Sequence, residues 1–373
     1  MPFQNPLLPD CFLTWTEPPD DSGDELYHIV SWRRSLTLKG HSFREFGREV
    51  VPLLDGRTPF DRIVAEVADL FERKDLENAL DMLGGQGIVV EAEPAEAALP
   101  ERLHTQLAWL SETAPDGRAA QRRLSEASVV LFGAAGPGAS LARSLAAAGI
   151  GRLAIVDPGV VLASDPYFSA LFRSTDIGRP RAEALVEALA ALAPDCELTA
   201  ETTRPADIAA IGKLIADATY VACCLDSGEL NLALKLNRAC RERGARWIAG
   251  GMEGLDLVVG PGFSGEAGAP CYMCWRMREV ACAANPQSRF AEERHLDRMH
   301  RDLSGRRENM AFSADIVGGL MAAEMLSVLT GAGQPTLDGR LLVIELPGLR
   351  QEKHTVLRKP GCPVCGQPAG QPS

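Results

Sequence analysis

The sequence predicts an α/β protein, in which a small α+β unit precedes a larger unit built on a mostly parallel sheet. Three observations lead there. Strand and helix patterns alternate regularly from Ala127 onward. Charge is unevenly spread: residues 1–100 hold 19 acidic and 9 basic side chains, whereas the remainder is almost balanced at 31 and 29. Such asymmetry between two parts of a chain argues for two domains. Finally, two CxxC pairs stand 87 residues apart, a gap that only a folded domain can close.

The first unit, residues 1–91, opens with short strand patterns at Cys11–Trp15, Tyr27–Ser31 and Arg34–Leu38. The last two are so close that they should form a hairpin. Helical periodicity follows at Ser42–Leu53, Pro59–Phe71 and Leu76–Leu83. A short strand, Gly87–Val90, closes the unit after the helix-stopping GGQG. The stretch EAEPAEAALP mixes Pro, Ala and Glu without a core pattern, so residues 92–122 read as a linker and a polar, irregular lead-in.

The second unit, residues 123–366, begins with the strand SVVLF (128–132), the turn GAAGPG (133–138), the helix SLARSLAAAG (140–149) and the strand LAIVD (153–157). A helix at Arg181–Leu192, a strand at Cys196–Glu201 and a helix at Pro205–Ala216 continue the alternation. The strand Tyr220–Leu225, the helix Glu229–Arg243 and the strand Arg246–Ala249 extend it. Helices on both faces of a parallel sheet make this Rossmann-like. The polar segment Ala284–Asn309 reads as a long crossover, and residues 367–373 as a disordered tail.

With 46% hydrophobic residues over 373 positions, the chain can bury a sizeable core. A net charge of −12 offers no electrostatic footprint for DNA or RNA. The most apolar helical stretch, Ile316–Leu329, is interrupted by Glu324 and falls short of the ~18 apolar residues that suggest a membrane span. The N-terminus lacks a basic segment followed by an apolar one, so no secretory signal is read and a cytoplasmic location is expected. The ten cysteines do not read as a disulfide framework. Cys223 and Cys224 adjoin within an apolar strand, and Cys196 and Cys240 stand alone as small buried hydrophobes.

The glycine turn is the first candidate for chemistry. Gly133, Gly136 and Gly138 let backbone come close to a phosphate or a neighbouring helix, and amides at a helix start favour an anion. Asp157 ends the next strand, 24 residues after Gly133, where a ribose-binding acid belongs. The rival reading gives the glycines a packing role alone. The CxxC pairs are the second candidate: Cys271 and Cys274 in PCYMC, Cys362 and Cys365 in PGCPVCG. Two such loops complete a tetrahedron about one Zn2+, and a four-thiolate site is closed, hence structural. A redox role is the rival. Cys282 has no base beside it in the sequence and is not read as a nucleophile.

Together these features resemble the ubiquitin-activating-enzyme superfamily, in the branch of the ThiF and MoeB adenylyltransferases. VVLFGAAGPGAS, AIVDPGVV, DIGRPRAEA, YVACCLDS, the CxxC pairs and the helix ADIVGGLMAAEMLSVLTG carry the resemblance, from about Arg102 to Gly366. In active members ATP adenylates a C-terminal carboxylate, which needs cations at the triphosphate and a carboxylate for magnesium. The resemblance implies that Asp157 meets the ribose and Asp226 the magnesium, and it puts Arg181 where a Lys is usual. It also puts Phe168 and Thr105 where the family has phosphate-facing arginines. On that ground the pocket of Gly133, Gly136, Gly138, Asp157, Arg181 and Asp226 is expected to be vestigial, with ATP not used by this chain.

In the first unit, SLTLKG, HSFREFGREVVPLLDGRTPFDRIVAEVADLF and LENALDMLGGQGIVVE resemble the winged-helix peptide-recognition element related to PqqD. In that family a leader peptide adds as a strand in the groove between the third strand and the third helix, here Arg34–Lys39 and Asp75–Leu83. Arg34, Ser35, Thr37 and Lys39, with Asn78, Asp81 and Met82, are the candidate contacts, while Leu36, Leu38, Leu76, Leu80 and Leu83 face the core. The fusion of both elements resembles the ocin-ThiF-like partner proteins of YcaO cyclodehydratases. It implies a non-catalytic subunit that binds the leader peptide of a ribosomally made precursor and presents it to a YcaO enzyme. That enzyme forms azolines, on the way to thiopeptides and related products. The alternative is an ATP-dependent adenylyltransferase acting on a peptide carboxylate or carboxamide. Relatives of the second unit often dimerise, so a homodimer is a further expectation.

Overall fold

The computed structural model describes residues 3–19, 21, 23–92, 99–114, 116–225, 229–299 and 310–366. It divides into two compact units, Met1–Arg123 with Thr330–Gly333, and Leu124–Leu329 with Gln334–Ser373.

In the first unit β1 (Pro6–Leu7) is followed by β2 (Leu13–Thr16), β3 (Glu25–Val30), β4 (Ser35–Gly40) and β5 (Val90–Glu91). Strands β2, β3 and β4 form an antiparallel sheet, with β3 in the middle, and β1 pairs with β5. Alternation along β3 turns Tyr27 and Ile29 inward. The helix Arg73–Gly85 turns Leu76, Leu80 and Leu83 inward at i, i+4 and i+7. These residues share one core with Val50, Phe60 and Ile63. The region expected to be helical over Ser42–Leu53 is wound throughout but changes pitch, because Pro52 has no amide to give the last turn.

The segment read as an irregular lead-in is helical over His104–Thr113 and Gly117–Glu126. Leu103, Leu107 and Leu110 are its buried stripe. Asp116 starts the second helix, its Oδ1 accepting from the amides of Arg118 and Ala119 at 2.8 and 3.0 Å. Residues 93–98 of the expected linker lie outside the described residues.

The second unit carries β6 (Ser128–Phe132), β7 (Arg152–Val156), β8 (Glu197–Glu201), β9 (Tyr220–Cys223), β10 (Trp247–Glu253), β11 (Asp256–Phe263), β12 (Arg340–Glu345) and β13 (Arg350–Thr355). They form one sheet in the order β13-β12-β11-β10-β9-β6-β7-β8. Neighbours from β10 to β8 are parallel, as expected, whereas β11, β12 and β13 add antiparallel. The sheet is therefore mixed. Both faces are covered: Val129 and Leu131 of β6 join one core cluster, and Val130 and Phe132 join another.

Helix Ala311–Thr330 is long and apolar enough to cross a membrane by length and composition. Yet its Ala314, Val317, Met321 and Met325 are fully buried, and the last three belong to the α/β core. The expected crossover is helical over Pro286–Met299, and its end, like residues 367–373, lies outside the described residues.

Candidate active site

The site is built on backbone contact. Gly133 follows β6 with φ +90°, and a Cβ there would lie 2.6 Å from the Cys224 carbonyl oxygen. At Gly138 a Cβ would meet the Gly133 carbonyl oxygen at 1.9 Å. Strand end and helix start thus pass at a distance that only glycine permits. Gly136, with φ +44°, precedes the helix Pro137–Ala147, whose first residue needs no amide. In that first turn the Gly138 amide donates to the Ala135 carbonyl at 2.9 Å and the Ser140 amide to the Gly136 carbonyl at 3.2 Å, which closes the corner tightly.

Asp157 follows β7 and holds the turn. Its Oδ2 accepts from the Ala134 amide and its Oδ1 from the Gly159 amide, both at 2.7 Å. Arg181, the first residue of helix Arg181–Leu192, approaches both Asp157 oxygens at 3.2 Å. Its Nε donates to Asp165 Oδ2 at 2.9 Å, an oxygen that also accepts from the Leu162 amide at 2.8 Å. All three side chains are buried. Removing one member of such a group strands a charge, at a cost of about 3–5 kcal/mol. Arg181 is thus committed to two carboxylates. Asp226 lies outside the described residues. Phe168 is buried edge-on to Tyr167, with ring centroids 5.1 Å apart, and Thr105 is exposed on a helix of the first unit.

Two cavities meet at the turn. One, of about 270 Å3, is lined by Gly133, Asp157, Gly159, Arg181, Arg204 and Glu229. The other, of about 110 Å3, is lined by Gly136, Phe168, Gly250, Gly251, Tyr272 and Trp275, among others. Ala135, Cys224 and Leu225 border both. The second cavity has a charged end. Arg276 pairs with Glu279 and Glu293, and Arg289 lies 3.2 Å from Glu293 and 3.4 Å from Glu279. Burial draws the Arg276 guanidinium below its ordinary value. Burial also pushes the Cys223 thiol up to about 11, so it is neutral and no nucleophile. Cys282 is exposed at the end of helix Tyr272–Cys282.

Away from these cavities the four CxxC cysteines converge. Cys271 caps helix Tyr272–Cys282 and Cys274 lies in its first turn, while Cys362 and Cys365 follow β13. Cys271 Sγ is 3.7 Å from Cys362 Sγ and 4.0 Å from Cys274 Sγ, and Cys274 Sγ is 3.3 Å from Cys365 Sγ. All four sulfurs lie within 4.8 Å of one another and are buried. A tetrahedron with Zn–S bonds of ~2.3 Å has edges of about 3.8 Å, whereas disulfide sulfurs lie ~2.05 Å apart. The group is therefore suited to a metal ion. Burial pushes Cys271 up and Cys365 to about 11; it acts on Cys362 too, but the Cys365 and Val364 amides bring that thiol down to about 7. Four thiolates can share so small a volume only around a cation.

The candidate peptide contacts fall into separate sets. Arg34 is committed to the fold, donating to the Gly87 carbonyl and lying 4.9 Å from the Phe12 ring centroid. Ser35, Thr37 and Lys39 are exposed on β4, with Thr37 Oγ1 3.0 Å from His28 Nδ1 and Lys39 3.3 Å from Asp24. Leu36 and Leu38 alternate with them and pack on the core that Leu76, Leu80 and Leu83 enter. Asn78, Asp81 and Met82 are exposed on helix Arg73–Gly85. The strand trio thus faces away from the core that this helix covers. Among the described residues β4 pairs with β3 alone, which leaves its other edge open.

A phosphate-type turn on a mixed, Rossmann-like sheet sets the class of the protein. The chain belongs to the ThiF family, whose model matches residues 103–364. It is 32% identical over 281 residues to the sulfur carrier protein adenylyltransferase of Thermus thermophilus, covering 71% of this chain and 90% of that one. It is 28% identical over 252 residues to the molybdopterin-synthase adenylyltransferase of Escherichia coli, covering 66% and 90%. Among solved structures it is similar to E. coli MccB with MccA-N7isoASN, at a TM-score of 0.66 and 17% identity over 97% of this chain and 99% of that one. MccB solved with ATP gives a TM-score of 0.64 at 18% identity, over the same shares of the two chains. At these identities the likeness speaks for the fold.

These two relatives in sequence are named adenylyltransferases, which overturns the expectation of a non-catalytic partner subunit. The pocket also keeps more positive charge than Phe168 and Thr105 suggest. Arg204, on the loop after β8, lines the cavity as a further cation beside Arg181.

Proposed function

We propose that the chain is an ATP-dependent adenylyltransferase that acts on a peptide carboxylate or carboxamide. The observation that carries this reading is the pair of cavities sharing the wall of Ala135, Cys224 and Leu225. The nucleotide occupies the larger cavity, its ribose toward Asp157 and its α-phosphate toward the amides of the glycine turn. The acceptor reaches the α-phosphorus from the smaller one. A carboxylate oxygen forms the new P–O bond, the bond to pyrophosphate breaks, and acyl adenylate and pyrophosphate result. The turn's amides stabilise the charge on the phosphoryl oxygens as it builds. The names of the ThiF-family relatives support the reaction, and MccB solved with MccA supports a peptide as the acceptor.

The first unit then serves peptide recognition, through strand addition at the open edge of β4. Met82, exposed on the neighbouring helix Arg73–Gly85, is the apolar contact of that groove. Cys271, Cys274, Cys362 and Cys365 hold one structural zinc ion, which supplies cross-linking and no open coordination position. Thiols kept in this state suit a reducing compartment. A chain that activates its own peptide needs no YcaO enzyme to do so. The test is ATP–pyrophosphate exchange by the purified protein. Exchange that depends on a peptide and on no second enzyme is expected, whereas absence of exchange across varied peptide C-termini would sink the reading.

A further inference from the structure

The strand order hides a bridge. Arg204 follows β8 and Glu229 follows β9, and in the sheet these strands are separated by β6 and β7. Their chain ends are three strand spacings apart, about 14 Å. Even so, both terminal nitrogens of Arg204 bond to the two carboxylate oxygens of Glu229. The pair therefore closes over the ends of β6 and β7, where the glycine turn and Asp157 lie, and both residues line the same cavity as those groups. The backbone that carries Arg204 is pinned: Glu201 accepts from the Thr203 amide at 2.7 Å, and Lys235 donates to the Ala206 carbonyl at 2.9 Å.

We infer that the Arg204–Glu229 pair is a clasp opened by the nucleotide's phosphates, with Arg204 passing from Glu229 to a phosphate oxygen. The inference rests on the nucleotide reading of this cavity and deepens it. Among the described residues, Arg181 and Arg204 are the cations of its lining. Arg181 is 4% exposed and already neutralised by Asp157 and Asp165. Arg204 is 34% exposed and is paired with Glu229 across the cavity. A polyphosphate outcompetes a carboxylate for a guanidinium because it offers several charged oxygens in bidentate geometry. Glu229 is then a competitor for the cation, and its charge sets how readily the clasp opens.

The test is equilibrium binding of ATP and of adenosine to the full chain and to R204Q, R204K and E229Q, with thermal melting as the check on folding. R204Q should weaken ATP at least tenfold and leave adenosine within twofold, and R204K should recover part of the loss. E229Q should tighten ATP at least threefold, an opposite sign that a merely structural pair does not give. Equal losses on ATP and adenosine in R204Q, or weaker ATP binding by a folded E229Q, would overturn the clasp. Unchanged ATP binding in R204Q would overturn it as well, while leaving the nucleotide reading standing. No binding of ATP by the wild type would overturn both.

Discussion

Asp157 does three tasks with two oxygens. It fixes the Ala134 amide, fixes the Gly159 amide and balances Arg181. Asp157→Asn keeps the shape but gives up the charge and one acceptor, so Arg181 loses one of its two carboxylates. The expected cost is about 3 kcal/mol or more. For a unit of this size that lowers the melting temperature by roughly 6–12 °C, read by calorimetry. Peptide-dependent pyrophosphate exchange should fall together with it. A melting point within a degree of wild type would mean that the group is solvated in solution. Gly133, Gly138 and Asp157 were legible because strand, turn, helix and acid follow one another in sequence, so the signal is local. Arg204 was not legible in the same way. Its partner lies 25 residues on, and only the strand order places both over the turn. For Arg181 the position could be read, but its two carboxylates could not.

At the scale of elements, the parallel strands and their helices were readable from periodicity, and Arg181–Leu192 starts and stops where the pattern does. Three antiparallel strands escaped. In β11 the run GPG reads as a turn, and β13, with the sequence RQEKHT, is exposed at every position and has no apolar alternation. The helix His104–Thr113 left a signal that polar composition masked, namely Leu103, Leu107 and Leu110 at helical spacing. Strand β13 is nonetheless what delivers Cys362 and Cys365 to the helix start at Cys271. Cys362→Ser removes one ligand from this closed set. Metal analysis should fall well below one zinc per chain, and the melting temperature should drop by at least 5 °C at equal pH, since metal binding here is folding energy. Unchanged metal content would place the ion elsewhere.

The whole molecule consists of two units with separate cores. Ile63 is fully buried among Tyr27, Phe60 and Leu76, while Leu131 and Val317 belong to the other core. Ile63→Ala should cost about 2–5 kcal/mol in the first unit. Its signature is a lowered first transition in calorimetry and weaker peptide binding, with ATP affinity held within twofold. Equal loss of peptide and ATP binding would show that the two units unfold as one. The four cysteines have a consequence for chain length. Cys271 and Cys362 are 91 positions apart, so an ion between them ties off a loop that contains the crossover and helix Ala311–Thr330. A cross-link over a span of that order removes about 4–5 kcal/mol of unfolded-state freedom on a chain-entropy estimate. Because that entropy grows only with the logarithm of loop length, doubling the loop changes it by about 0.6 kcal/mol. The tether's contribution is therefore nearly insensitive to the length of the crossover between its ends.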